Sequence, residues 1–170
     1  MKTLAIAAML LTATSCQRQV QVGSSSSPSA SAEVRSAAGA TVGTLSLLTT
    51  SAGVRITGTL TGLTAGAHGI HLHSVGRCDG PEFTTAGGHL NPANAKHGLE
   101  NPAGPHAGDL PNITVNASGS AQVDMTTPRT MISELLDADG AAIVVHAAVD
   151  DQRTDPGGNS GARVACGIVR

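Results

Sequence analysis

Aromatic side chains are almost missing from this chain. In 170 residues there is one phenylalanine, Phe83, and no tryptophan or tyrosine. Val, Leu, Ile and Ala must therefore fill the interior, which with 21 glycines describes a compact, turn-rich body with a small-residue core. Charge is scarce as well: 10 Lys and Arg stand against 12 Asp and Glu, a formal net charge of −2. The basic face that nucleic-acid binding requires is not there. Cysteine is limited to Cys16, Cys78 and Cys166, an odd number. A chain of this length allows one domain once any targeting segment is set aside.

The N-terminus accounts for the odd cysteine. Residues 1–16 read MKTLAIAAMLLTATSC: Lys2 supplies a positive start, Leu4 to Leu11 an apolar run, and small residues precede Cys16. That is the pattern of a secretory signal, and the apolar run is too short to span a bilayer. Ala13-Thr14-Ser15-Cys16 resembles a bacterial lipobox, whose Cys is lipidated and becomes the mature N-terminus, although Leu is commoner than Ala at its first position. The alternative is an ordinary signal cut near Ser15. Residues 17–32, with SSSSPSASA, read as a flexible tether, and residues 33–170 as the folded domain. Export places that domain in an oxidising compartment. Cys78 and Cys166 are then either a disulfide pair or two free thiols.

From residue 33 the chain shows short apolar runs separated by turn signals. The expected strands are Glu33–Ser36, Thr41–Thr49, Gly53–Leu60, Gly69–His73, Asn112–Asn116, Ala121–Met125 and Ala142–Ala147. Met131–Leu136 reads as one helical turn or as loop. Short strands with Gly-rich turns argue for an all-β antiparallel sandwich or barrel. Two long excursions, about 74–111 and 147–163, carry most of the polar residues, and long loops on a rigid scaffold are where function usually sits.

Against this background of scarcity, histidine is concentrated. Six of the seven lie between His68 and Asp109, and the seventh, His146, sits in the apolar run AAIVVHAA. Neutral imidazole is the commonest metal ligand near physiological pH. His71 and His73 are two apart, so on a strand both point to one face. With His146 they make a nitrogen set that suits redox copper better than sealed structural zinc. His89, His97, His106 and Asp109 fall in a Gly/Pro/Asn-rich loop and form an N3O set that suits four-coordinate zinc. One imidazolate bridging two metals would reconcile the donor count: four nitrogens on copper, three nitrogens and a carboxylate on zinc.

The motifs GAHGIHLH, GGHLNP, KHG, HAGDLPN, VVHAAVDD and GNSGARVACGIV occur in order, with steps of 8, 9 and 3 from His89 to His97, His106 and Asp109. In these the chain, over roughly 38–170, resembles the copper/zinc superoxide dismutases, particularly the exported bacterial lipoprotein forms. The resemblance implies an immunoglobulin-like Greek-key sandwich or barrel with two long functional loops. It implies copper on His71, His73, His146 and a bridging His89, and zinc on His89, His97, His106 and Asp109. Asp150 would accept hydrogen bonds from His71 and His97. Arg163 would hold superoxide beside the copper, with His89 as a proton carrier, and Cys78 and Cys166 would be disulfide-linked. His68 fits no ligand position and is expected to brace a strand end through backbone contacts.

The implied activity is disproportionation of superoxide to O2 and H2O2 in the cell envelope. The implied partners are superoxide and the membrane, the latter through a lipid on Cys16. The competing reading is a non-enzymatic copper-binding or copper-buffering envelope protein on the same fold. Cys78 lies only five residues after His73, and the loop Asp150–Arg163 is short and sparsely charged. Neither the steering charges nor the eukaryotic dimer surface therefore transfers, and a homodimer would use a different face.

Overall fold

The computed structural model describes residues 29–170; the expected signal at 1–16, its lipidation residue Cys16 and the tether from 17 to 28 lie outside the described residues. Strand β1 spans Ser29–Ser36, β2 Thr41–Thr50, β3 Gly53–Thr61, β4 Gly66–His68, β5 Ile70–His73, β6 Ile113–Val115, β7 Ser120–Thr127, β8 Ala142–His146 and β9 Arg163–Ile168. One helical turn, α1, covers Ile132–Leu135. Seven strands form a curled antiparallel sheet in the order β5-β8-β9-β1-β2-β3-β7, and β4 pairs with β6 beside it. After β3 the chain crosses to the opposite edge of the sheet as β5 and later returns to pair β7 with β3, the long connection that defines a Greek key.

The curl is closed over side chains that alternate inward. Ala32 and Val34 of β1, Leu45 and Leu47 of β2, Val54, Ile56 and Leu60 of β3 and Val123 of β7 meet in one core. That core contains no aromatic ring. Strand β8 is buried along its whole length. Its Ile143 and Val145 face the core, whereas Ala142 and Val144 pack outward against Phe83, Ala86 and Cys166. The sheet wall at β8 is thus covered twice, by the core within and by a loop outside.

Two expectations need correcting. Residues 29–32 are not tether: Ala30 and Ala32 are buried, and Ser29–Ala32 pair with Leu45–Leu48 of β2. Serine and alanine carry little strand preference, yet the backbone bonds of a neighbouring strand are enough to fix them. Ser31 also exchanges both of its backbone bonds with Arg170, at 2.7 and 2.9 Å. The second concerns β9, which is absent from the expected strands because RVACGI is small and interrupted by Gly167. In the fold it lies between β8 and β1, where Gly167 lets the Glu33 backbone approach. Of the expected Gly69–His73 strand, Ile70–His73 forms β5, and Gly69 separates it from the short β4 that precedes it.

Candidate metal centre

In the pairing of β5 with β8, Ile70 stands opposite Val145 and Leu72 opposite Ile143, all core residues. His71 and His73 therefore occupy the outer face, opposite Val144 and Ala142. The free edge of β5 is taken by the loop. The Leu72 N–H donates to Gly108 O at 2.9 Å, and Leu72 O accepts from Leu90 N–H at 2.8 Å. These bonds draw His89 alongside His73, and Asp109 alongside His71. A register shift between Val145 and His146 sets His146 opposite Arg163 on β9. The sequence-predicted residues, distant along the chain, are thereby brought to one place.

The hydrogen bonds decide which nitrogen each ring leaves free. His71 Nε2–H donates to Asp150 Oδ2 at 2.6 Å. His73 Nδ1–H donates to Gly87 O at 3.0 Å and His146 Nδ1–H to Gly161 O at 3.2 Å. The opposite atoms, His71 Nδ1, His73 Nε2 and His146 Nε2, are buried with no partner. An unpaired buried polar atom is costly, and here three share one set with His89, whose donor atoms all lie within 4.8 Å of one another. A metal ion satisfies all of them at once.

The second set is built around Asp109. Its Oδ2 accepts the backbone N–H groups of Gly98 and His106 at 2.8 and 2.9 Å. That leaves Oδ1, and the Nδ1 atoms of His89, His97 and His106 stand 2.9, 3.0 and 3.2 Å from it. His89 belongs to both sets; its Nδ1 turns to the Asp109 group, leaving Nε2 on the other side of the ring. Asp150 links the sets from behind, since its Oδ1 accepts His97 Nε2–H at 3.0 Å. Gly158 is required there, because a Cβ at that position would sit 1.7 Å from Asp150 Oδ1.

Electrostatics prepare the rings for metal. Burial pushes His71 down to about 4, only partly opposed by Asp150, and His73 and His146 down to about 2 and about 3. Near neutral pH these three are uncharged, with lone pairs available. His97 behaves oppositely. Burial lowers it, but the hydrogen bonds to Asp109 and Asp150 outweigh burial and raise it to about 9. Burial likewise works to raise Asp109 and Asp150, yet their histidine partners hold both well below the usual carboxylate range.

Beside these sets opens a cavity of about 740 Å³, lined by His73, His89, His146, Lys96, Asp155 and Arg163 among others. Arg163 is held there by two backbone carbonyls: Nη1 donates to Phe83 O and Nη2 to Gly87 O, each at 2.7 Å. It makes no ion pair with a carboxylate among the described residues, so its charge remains available to an anion. Cys78 and Cys166 form a disulfide, with Cα atoms 5.7 Å apart, that ties the same loop to β9.

The chain matches the family model of copper/zinc superoxide dismutase over residues 41–169. This chain belongs to the copper/zinc superoxide dismutase family. It is 39% identical over 145 residues to superoxide dismutase [Cu-Zn] 1 of Aquifex aeolicus, covering 82% of this chain and 86% of the relative. A superoxide dismutase [Cu-Zn] of Caulobacter vibrioides is 42% identical over 149 residues, 84% of this chain and 86% of that one. Among solved structures, a double mutant of a superoxide-dismutase-like protein from Bacillus subtilis superposes with a TM-score of 0.79 at 41% identity. The match covers 81% of this chain and 95% of that one.

The fold also places residues outside both sets, three of which sequence reading did not single out. His68 does brace backbone, as expected: its ring nitrogens lie 2.7 Å from His146 O and 2.8 Å from Thr64 O. Asn112 grips Asp150 at both ends of its peptide, accepting from its N–H and donating to its carbonyl at 2.8 Å each. Arg129 Nη2 donates to the Asp109 carbonyl at 2.9 Å. Asp155 Oδ1 accepts the His97 backbone N–H at 2.8 Å. A single amide or guanidinium that bonds backbone leaves no spacing signal in the sequence.

Proposed function

We propose that this protein disproportionates superoxide, two anions and two protons becoming O2 and H2O2. Copper would be held by His71 Nδ1, His73 Nε2, His146 Nε2 and His89, and zinc by Asp109 Oδ1 and the Nδ1 atoms of His89, His97 and His106. The observation that carries this reading is the convergence of three buried, unpartnered imidazole nitrogens, of His71, His73 and His146, the last two on residues that line an open cavity also holding Arg163. Copper bound there supplies reversible one-electron chemistry, and zinc, which has no redox state to change, supplies fixed charge and loop order. Arg163 attracts the anion and orients it at the cavity floor. His89 Nε2 is the atom at which a proton can be carried to the reduced oxygen. Asp150 and the Gly87 and Gly161 carbonyls fix the rings of His71, His73 and His146, so their free nitrogens need no rearrangement.

The test is superoxide consumption by residues 29–170 with copper and zinc quantified in the same sample. Turnover should scale with copper occupancy and vanish on chelation. Full loading without turnover would instead favour copper buffering.

The N-terminal sequence supports an exported, envelope-bound location with a lipid on Cys16. Cys16→Ser should move the protein from the membrane fraction to the soluble fraction of its host cell. An unchanged distribution would remove the anchor from this reading.

A further inference from the structure

Asp150 receives a third bond besides those of His71 and His97. The backbone N–H of Gln152 donates to its Oδ1 at 2.6 Å. Gln152 reaches that position in the left-handed region, at φ 61, where a non-glycine residue is strained. Such a backbone persists only if its surroundings hold it, and here the Gln152 side chain does so. It is buried, with Nε2 donating to Leu110 O at 3.2 Å and Oε1 accepting from Leu99 N–H at 3.3 Å. Its carbonyl accepts from Glu100 N–H at 3.1 Å. Leu99 and Leu110 lie two residues and one residue beyond the zinc-set members His97 and Asp109. Gly98 permits the approach, since a Cβ there would come within 2.0 Å of Gln152 O.

The geometry points to Gln152 as a positioning residue that straps the 150–152 turn to the zinc loop and so sets the Asp150 carboxylate against His71 and His97. It touches neither metal set itself. This inference rests on the metal-centre reading above and adds to it a control on how long zinc stays bound. The side chain grips the loop on both flanks of the zinc set, and the backbone N–H it positions completes Asp150. Removing the amide loosens both ends of that linkage while leaving all seven proposed ligands in place.

The experiment uses the full chain loaded with copper and zinc, and compares Q152A and Q152E with the parent. Zinc release to a chromogenic chelator is timed, and the visible spectrum is recorded after cobalt(II) replaces zinc. Q152A should release zinc about tenfold faster, with shifted cobalt bands and unchanged copper content and sheet circular dichroism. Q152E keeps the acceptor for Leu99 and loses the donor to Leu110, so it should fall between. Release within about twofold of the parent with unaltered cobalt bands overturns the inference, even if Q152A lowers the thermal midpoint. Should Q152A fail to yield folded protein, parent-like release by Q152E overturns it equally. A parent that turns over superoxide and holds zinc separates this result from the proposed function; a parent that takes up no zinc overturns both.

Discussion

Single residues of this protein act through what their neighbours leave undone. His71, His73 and His146 each commit one nitrogen to a bond and keep the other idle, and Arg163 satisfies itself on carbonyls and keeps its charge. Arg163→Glu should therefore cut superoxide consumption at low salt at least about tenfold, with copper and zinc content unchanged. Equal activity would remove its role. The imidazoles also fix a pH dependence for the metal-free protein. His71, His73 and His146 sit at about 4, 2 and 3 when folded and near ~6.5 when unfolded. Below about pH 7 the unfolded chain thus takes up protons that the folded one refuses, and stability falls as pH falls. His97, raised to about 9, contributes fully below ~6.5 and loses its contribution only as pH rises through about 9. Asp109 and Asp150, both depressed, lose theirs only below ~4. Between about pH 7 and 5.5 these three histidines dominate, at a cost on the order of 3 kcal/mol, and His106, also lowered by burial, acts in the same direction. Urea titrations of metal-free protein across that window check it; a flat midpoint would contradict the burial of those rings.

At the level of elements, sequence and structure agree where side chains alternate and part where backbone does the holding. Strands β2, β3 and β8 are legible because Leu45 and Leu47, Val54 and Ile56, and Ile143 and Val145 alternate into the core. The clustered histidines are legible because their type and spacing mark a set of donors that could hold metal. The first half of β1 and all of β9 are not, since Ser, Ala and Gly there take their conformation from partner strands. Gln152, Asn112 and Arg129 are invisible for a related reason: their partners are carbonyls and amides 20 to 53 residues away. The β1 case has a measurable consequence. A chain starting at Glu33 gives up the burial of Ala30 and Ala32 and the Ser31–Arg170 pair. It should be less stable than one starting at Ser29 by about 2–4 kcal/mol, read from urea midpoints. Identical midpoints would return residues 29–32 to the tether.

Taken whole, the molecule is a barrel whose core excludes every ligand, with the metal sets laid on its outer wall and closed over by loops. Metal that binds only the folded form raises its stability, but no side chain of the core cluster belongs to either metal set. Metal-free protein should keep its sheet circular dichroism and a cooperative melt, at a midpoint lower by on the order of 10 °C. Proteolysis should then concentrate between residues 84 and 111. Loss of sheet signal on chelation would show that the barrel cannot stand alone.

That separation has a bearing on assembly order. Since Ile143 and Val145 face inward while Ala142, Val144 and the strand's terminal histidine face the loops, β8 can be completed on its inner side before its outer side is closed. The polypeptide can then take its shape first and acquire its ions afterwards. Maturation becomes a question of ion delivery to a finished scaffold, and a stock of metal-free chains would be an inventory of precursors rather than of failures.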